Sequence, residues 1–184
     1  MTGKTFSLFA TALALALPSA ASAELSAGAR APNFVAKGAR GGKLFTVSLA
    51  QALKRGPVVL YFYPKAFTSG CTMEAHAFAD ATADFQKAGA TVIGMSNDDV
   101  ATLQRFSTEA CRDKFAVASA TPAVVRAYDV DLVRDGKSTG YTKRTSYVIG
   151  QDGRVKFVHS DMDYKDHVRL TLDAVRALRA KRKG

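Results

Sequence analysis

The chain has 184 residues, 47% of them hydrophobic, and a formal net charge of +10. Length and apolar content suit one domain with its own core. A basic chain can hold nucleic acid or an anionic surface, but here the basic residues are scattered except for Arg179–Lys183, so the excess is read as a solvated surface and tail and nucleic-acid binding is not expected.

The first residues read as an export signal. Lys4 supplies the positive charge, Phe6 to Leu17 form a short apolar run, and Ala21-Ser22-Ala23 fits a small-x-small cleavage site. The run is too short to span a bilayer comfortably. No cysteine follows it to carry a lipid, and no Arg pair precedes it. The expected organisation is a removed signal peptide over residues 1–23 and one domain over residues 24–184. The expected location is periplasmic or secreted, without stable membrane insertion. Cleavage takes away Lys4 and no acid, so the mature chain stays strongly basic.

The domain reads as alternating strands and helices. An N-terminal hairpin is expected around Asn33–Ala36 and Leu44–Val47. Val58–Tyr63 is an unbroken apolar and aromatic run, the pattern of a strand covered on both faces. Cys71 to Lys87 reads as a helix, with Met73, Ala77, Phe78, Ala81 and Phe85 near one face. Thr91–Met95 is a second buried strand, so Val58–Met95 forms a parallel strand–helix–strand unit. Asp98 or Asp99 caps a further helix running to about Arg112. Phe115–Ala118 reads as a short strand, and Thr121-Pro122 opens a short helix to Tyr128. Ser146–Ile149 and Val155–Val158 flank Gly150-Gln151-Asp152-Gly153 as a hairpin. A last helix runs from about Tyr164 to Ala180, with Val168, Leu172 and Val175 inward. The sum is an α/β domain in thioredoxin-like order: a mixed central sheet flanked by helices, with the N-terminal hairpin as an extension. Fold alone does not give function.

The informative stretch is Tyr63-Pro64-Lys65-Ala66-Phe67-Thr68-Ser69-Gly70-Cys71-Thr72-Met73-Glu74. It leaves the C-terminal end of the central strand, where sites collect in open α/β sheets. It places Cys71 at a helix start, where unpaired N–H groups and the helix dipole favour the thiolate, the reactive form. Gly70 allows close approach of a small substrate. Thr68 supplies a hydroxyl, and Pro64 shields one side without donating a backbone hydrogen bond.

This stretch resembles the peroxiredoxin active-site motif, and its surroundings resemble the bacterioferritin comigratory protein (PrxQ) subfamily. Ala31-Pro32-Asn33-Phe34 is similar to the family's opening, and Lys143–Ile149 to its late arginine-bearing strand. The resemblance implies a thiol-dependent peroxidase acting on hydrogen peroxide and organic hydroperoxides, without a cofactor or metal. In that reading Cys71 attacks the peroxide and becomes sulfenic acid. Thr68 and the amides near Gly70 and Cys71 hold the peroxide oxygens, Pro64 shields the site, and Arg144 stabilises the thiolate and the charge developing on oxygen. Recycling calls for a thioredoxin-like or small-thiol reductant, and the subfamily leans toward a monomer.

The sequence departs from the subfamily at His76, which stands where many members carry a second cysteine. Cys111 is the only other thiol. A Cys71–Cys111 disulfide after local unwinding is the first reading of the cycle. The rival is a one-cysteine peroxidase recycled by an external thiol, with Cys111 a buried apolar residue. Glu74 reads either as an orienter of Arg144 or as an exposed first-turn acid. His76, His159 and His167 do not combine with Cys71 into a metal set. A copper-handling, thioredoxin-like envelope protein would carry Cys-x-x-x-Cys, where this chain has Ala75. A disulfide exchanger would carry Cys-x-x-Cys, where it has Glu74. A permanent structural Cys71–Cys111 bridge is the non-enzymatic alternative.

Overall fold

The computed structural model describes residues 24–181. The segment read as a signal peptide and the last three residues of the basic tail lie outside the described residues. A seven-stranded sheet runs through the domain, built from β1 (Val35–Arg40), β2 (Lys43–Ser48), β3 (Val58–Phe62), β4 (Thr91–Ser96), β5 (Ala116–Ser119), β8 (Thr145–Ile149) and β9 (Val155–Ser160), in the order β2-β1-β5-β4-β3-β8-β9. β3 and β5 each lie parallel to β4, while β8 runs antiparallel to β3, so the sheet is mixed. The helices are α1 (Leu49–Leu53), α2 (Ser69–Lys87), α3 (Val100–Glu109), α4 (Pro122–Ala127) and α5 (His167–Lys181).

Every residue of β3 is buried, because both faces of the sheet are covered. Val59 and Tyr61 join a core with Phe78 and Phe85 of α2, Leu103 and Phe106 of α3, and Leu172 and Val175 of α5. Val58, Leu60 and Phe62 point the other way, into a core with Leu49, Val125, Tyr128 and Tyr147. That two-sided burial is why the run shows no polar alternation. The β3–α2–β4 unit thus carries the end of β3 and the start of α2 to one edge of the first core.

The structure corrects several sequence expectations. The inner face of α2 is Cys71, Glu74, Ala75, Phe78, Ala79, Thr82 and Phe85; Met73 is exposed, and Ala77 and Ala81 are only partly covered. The apolar pattern misled here because polar Glu74 and Thr82 occupy buried positions. α3 is capped by Asp99, whose side chain accepts from the Thr102 amide, and it ends at Glu109. Arg112 and Asp113 then take positive φ, so Cys111 sits in the turn after the helix rather than within it. α5 begins at His167, not Tyr164. Two elements escaped the sequence reading: α1, only five residues long, and a separate hairpin of β6 (Asp131–Arg134) and β7 (Lys137–Thr142). The Asp135-Gly136 pair between β6 and β7, both at positive φ, is the turn signal that would have revealed it.

Candidate active site

The loop from β3 to α2 is pinned before it reaches Cys71. Ala66 N–H donates to Asp98 Oδ2 at 2.7 Å, and Ser96 holds the same oxygen at 2.7 Å. Phe67 then adopts φ of +64°, a costly conformation for a bulky side chain, and lays its ring edge-on to Phe106 at 5.2 Å. This turn delivers Thr68 as the N-cap of α2. Its hydroxyl makes no capping bond and instead donates to the Lys65 carbonyl at 3.0 Å. The hydroxyl oxygen therefore keeps its lone pairs, and the first-turn amides of α2 are not claimed by Thr68.

Cys71 follows in the first turn, 2% exposed and not bonded to Cys111. Its sulfur meets Arg144, which precedes β8 and is itself only 5% exposed. Arg144 distributes its donors over three partners: Nη2 to Cys71 Sγ at 3.5 Å, Nε to the Met162 carbonyl at 3.0 Å, and Nη1 to Glu74 Oε2 in a buried ion pair. A planar guanidinium serves all three at once, which an ammonium cannot. Burial opposes the charge of Arg144, but Glu74 and Cys71 outweigh it and hold the guanidinium above its ordinary value. Gly70 keeps the space beside this fork clear, because a Cβ there would lie 3.3 Å from Arg144 Nη2.

Glu74 lies one helical turn beyond Cys71 and is fully buried. Burial pushes its carboxyl up to about 8, against the pull of Arg144. Of the two sequence readings of Glu74, the structure selects the orienting one. His167, at the start of α5, stands behind it: Nδ1 is 3.8 Å from Glu74 Oε1 and 2.8 Å from Ser146 Oγ, and Nε2 is 2.9 Å from the Asp161 carbonyl. Burial lowers His167 to about 4. No periodicity marks His167 as part of this cluster, since its role depends on α5 packing across α2 and β8.

The other sequence candidates are placed as follows. Pro64 is half-buried just beyond β3, and Thr68 is exposed on the approach to α2. His76 is half-buried and takes no part in the cluster. Cys111 is fully buried in the same apolar core as Cys71. Tyr61 and Tyr63 lie within electrostatic reach of both thiols, and burial keeps their phenols neutral. Burial also pushes the Cys111 thiol well up, with Asp113 adding to it. The two cysteines are therefore chemically unlike: Cys71 has a guanidinium at its sulfur, while Cys111 has an apolar wall. A groove of about 770 Å³ lies around Leu132, Lys143 and Met162 and reaches Arg144 without including Cys71. Among the described residues no three His, Cys, Asp or Glu side chains stand together to hold a metal ion.

Comparison with known proteins places the chain beside peroxiredoxins. Residues 27–158 match the model of the AhpC/TSA family. The chain is 37% identical over 157 residues to the chloroplastic peroxiredoxin Q of Triticum aestivum, covering 84% of this chain and 69% of that one. It is 34% identical over 133 residues to a putative peroxiredoxin of Mycobacterium tuberculosis, covering 72% and 86%. Among solved structures, peroxidoxin BcpB of Mycobacterium tuberculosis superposes with a TM-score of 0.74 at 31% identity, over 84% of this chain and 98% of that one. Peroxiredoxin Q of Xanthomonas campestris gives 0.68 at 28% identity, over 78% and 90%.

Proposed function

The chain belongs to the AhpC/TSA family as a thiol peroxidase of the peroxiredoxin Q type, and from that premise we propose that Cys71 is the residue that attacks the peroxide. The observation that carries the assignment is the Arg144 fork, which places Nη2 3.5 Å from Cys71 Sγ while Glu74 holds Nη1.

In this reading the Cys71 thiolate attacks one peroxide oxygen. An S–O bond forms as the O–O bond breaks, sulfur is oxidised to sulfenic acid, and the departing oxygen takes a proton to become water or an alcohol. Arg144 and the free first-turn amides of α2 meet the negative charge as it moves from sulfur to oxygen. The lone pairs of Thr68 accept from the peroxide O–H, and Pro64 limits water at the mouth of the site. A Cys71→Ser variant tests the assignment: it should consume no peroxide above the uncatalysed rate while keeping its fold.

Cys111 is the proposed resolving thiol. Its backbone N–H is held by Phe106, the residue on which Phe67 of the Cys71 loop rests, so the two thiols belong to one mechanical unit. Its attack on the sulfenic sulfur would form the disulfide and release water. A raised, buried thiol reacts only after local opening, and the start of α2, which has no side-chain cap, is the place for it. The full burial of Cys111 in apolar surroundings also favours the one-cysteine reading, in which an external thiol attacks Cys71 directly.

The reductant is a thiol, supplied by a thioredoxin-like protein or a small molecule. The charged start, apolar run and Ala21-Ser22-Ala23 site support export to the periplasm or beyond, and no described helix is long and apolar enough to cross a membrane. A monomer is proposed from the resemblance to the subfamily.

A further inference from the structure

Glu74 gives only one of its two carboxyl oxygens to Arg144. The other, Oε1, is buried without a hydrogen-bond partner and faces His167 Nδ1 at 3.8 Å. The Asp161 carbonyl beside His167 Nε2 can only accept, so Nε2 carries the imidazole hydrogen. Nδ1 of the neutral ring then offers a lone pair, to which the Ser146 hydroxyl donates at 2.8 Å. The ring thus offers Oε1 no donor, and its one lone pair is already taken by Ser146. An ionised Glu74 would leave a charged oxygen buried with no donor on it, whereas a protonated Glu74 leaves no such charge.

The charge count in the site leads the same way. The buried cluster holds one permanent cation, Arg144, and two groups able to become anions, Cys71 and Glu74. The other titratable groups facing it are Tyr61 from β3 and Tyr63 just beyond it, His167 from α5, His159 from β9 with its ring 4.5 Å from that of His167, Asp163 on the Arg144 side, and Asp161, which turns its backbone carbonyl toward His167. Burial keeps the Tyr61 phenol and the His167 imidazole uncharged. Two buried anions against one cation would leave a charge uncompensated, at a large desolvation cost.

We propose that Glu74 and Cys71 exchange ionisation states during turnover: Glu74 is a carboxylic acid facing His167 while Cys71 is a thiolate, and a carboxylate once Cys71 is sulfenic acid. This rests on the assignment of Cys71 as the attacking residue. Thiolate sulfur gives an electron pair to the oxygen of R–O–O–H that bears hydrogen; S–O forms, O–O breaks, sulfur loses two electrons and the peroxide gains them. The products are Cys71–SOH and RO⁻, which needs one proton. With the negative charge gone from sulfur, Arg144 acts on Glu74 alone and the Oε1 proton is released. The proton taken by RO⁻ and the proton given up by Glu74 cancel, and the site stays neutral throughout. His167 and Ser146 are positioning residues: the Ser146 bond to Nδ1 holds a neutral ring, with no donor, against Oε1.

The test counts protons. A Cys111→Ala protein, reduced and held in weakly buffered indicator dye at neutral pH, is mixed with one equivalent of hydrogen peroxide, and proton uptake is measured per peroxide consumed. No net uptake is expected, against one proton per peroxide when Glu74→Gln is added. Uptake of one proton without the Glu74 change, or equal uptake in both proteins, overturns the proposal. Should the Glu74→Gln protein not fold, the infrared difference spectrum of the Cys111→Ala protein decides. Loss of a protonated-carboxyl band on oxidation is expected, and no such loss overturns the exchange. Failure to consume peroxide at all removes the Cys71 assignment instead, and the proposal with it.

Discussion

Arg144 Nη2 lies 3.5 Å from Cys71 Sγ while the Nη1 end of the same guanidinium is held by Glu74, a residue one turn along the helix that carries the cysteine. The residue that leads into β8 therefore meets α2 at the sulfur itself, and the proposed chemistry depends on that contact. A shift of α2 against Arg144 moves the guanidinium relative to Cys71.

Arg144→Lys keeps the positive charge and loses the fork. One side of the pair is released, at about 1.5–3 kcal/mol for a hydrogen bond to a charged group, which slows peroxide reduction by roughly ten- to a hundredfold. Stopped-flow measurement of the first turnover reads it. A rate equal to wild type would mean that charge alone, without geometry, is what the site requires.

Gly70→Ala separates activity from stability. Gly70 is helical and not at positive φ, so alanine suits the backbone and adds up to about 1 kcal/mol of helix propensity. Its Cβ would press on Arg144 Nη2 at 3.3 Å. The expected variant melts no lower than wild type and reduces peroxide several-fold more slowly. Thermal melts and initial rates on one preparation check both.

Cys111→Ala should leave the first peroxide turnover unchanged and stop disulfide formation. Intact mass after one equivalent of peroxide should show a single added oxygen. A variant that still cycles at the wild-type rate with a small-thiol reductant would establish the one-cysteine cycle.

His167 makes stability pH-dependent. Its folded value is lowered from 6.5 to about 4 by burial. Below pH 6.5 the unfolded chain binds a proton that the native chain refuses, so stability falls as pH drops from 6.5 toward 4 and loses nothing further from this group below that. The full loss is about 3 kcal/mol at most. His167→Gln, which keeps a donor for the Asp161 carbonyl, should flatten the melting temperature over this range. An unchanged slope would place the acid sensitivity elsewhere.

Much of this site was legible before the structure. The unbroken Val58–Tyr63 run and the Pro64–Thr68–Cys71 spacing single out Cys71 as the proposed nucleophile, because a doubly covered strand followed by a helix start leaves a strong pattern. Arg144 was found only through a resemblance, since a lone arginine beside Lys143 carries no periodic signal. The support behind it was harder to see. Glu74 reads equally as an orienter of Arg144 and as an exposed first-turn acid until Arg144 is brought against it from 70 residues away. His167 reads as one more residue in the first turn of the last helix until α5 closes over α2 and β8. Cys111 was placed inside a helix because the left-handed turn at Arg112 and Asp113 is made without glycine. The β6–β7 hairpin was missed because its strands are short and mostly exposed.

The most direct test compares wild-type protein with Cys71→Ser, each reduced and given one equivalent of hydrogen peroxide, reading intact mass and remaining peroxide together. Wild type should consume the peroxide and lose two hydrogens as Cys71 and Cys111 join, while Cys71→Ser leaves peroxide and mass unchanged. Peroxide surviving in the wild-type sample with no change of mass, or consumed equally by Cys71→Ser, would contradict the assignment of Cys71.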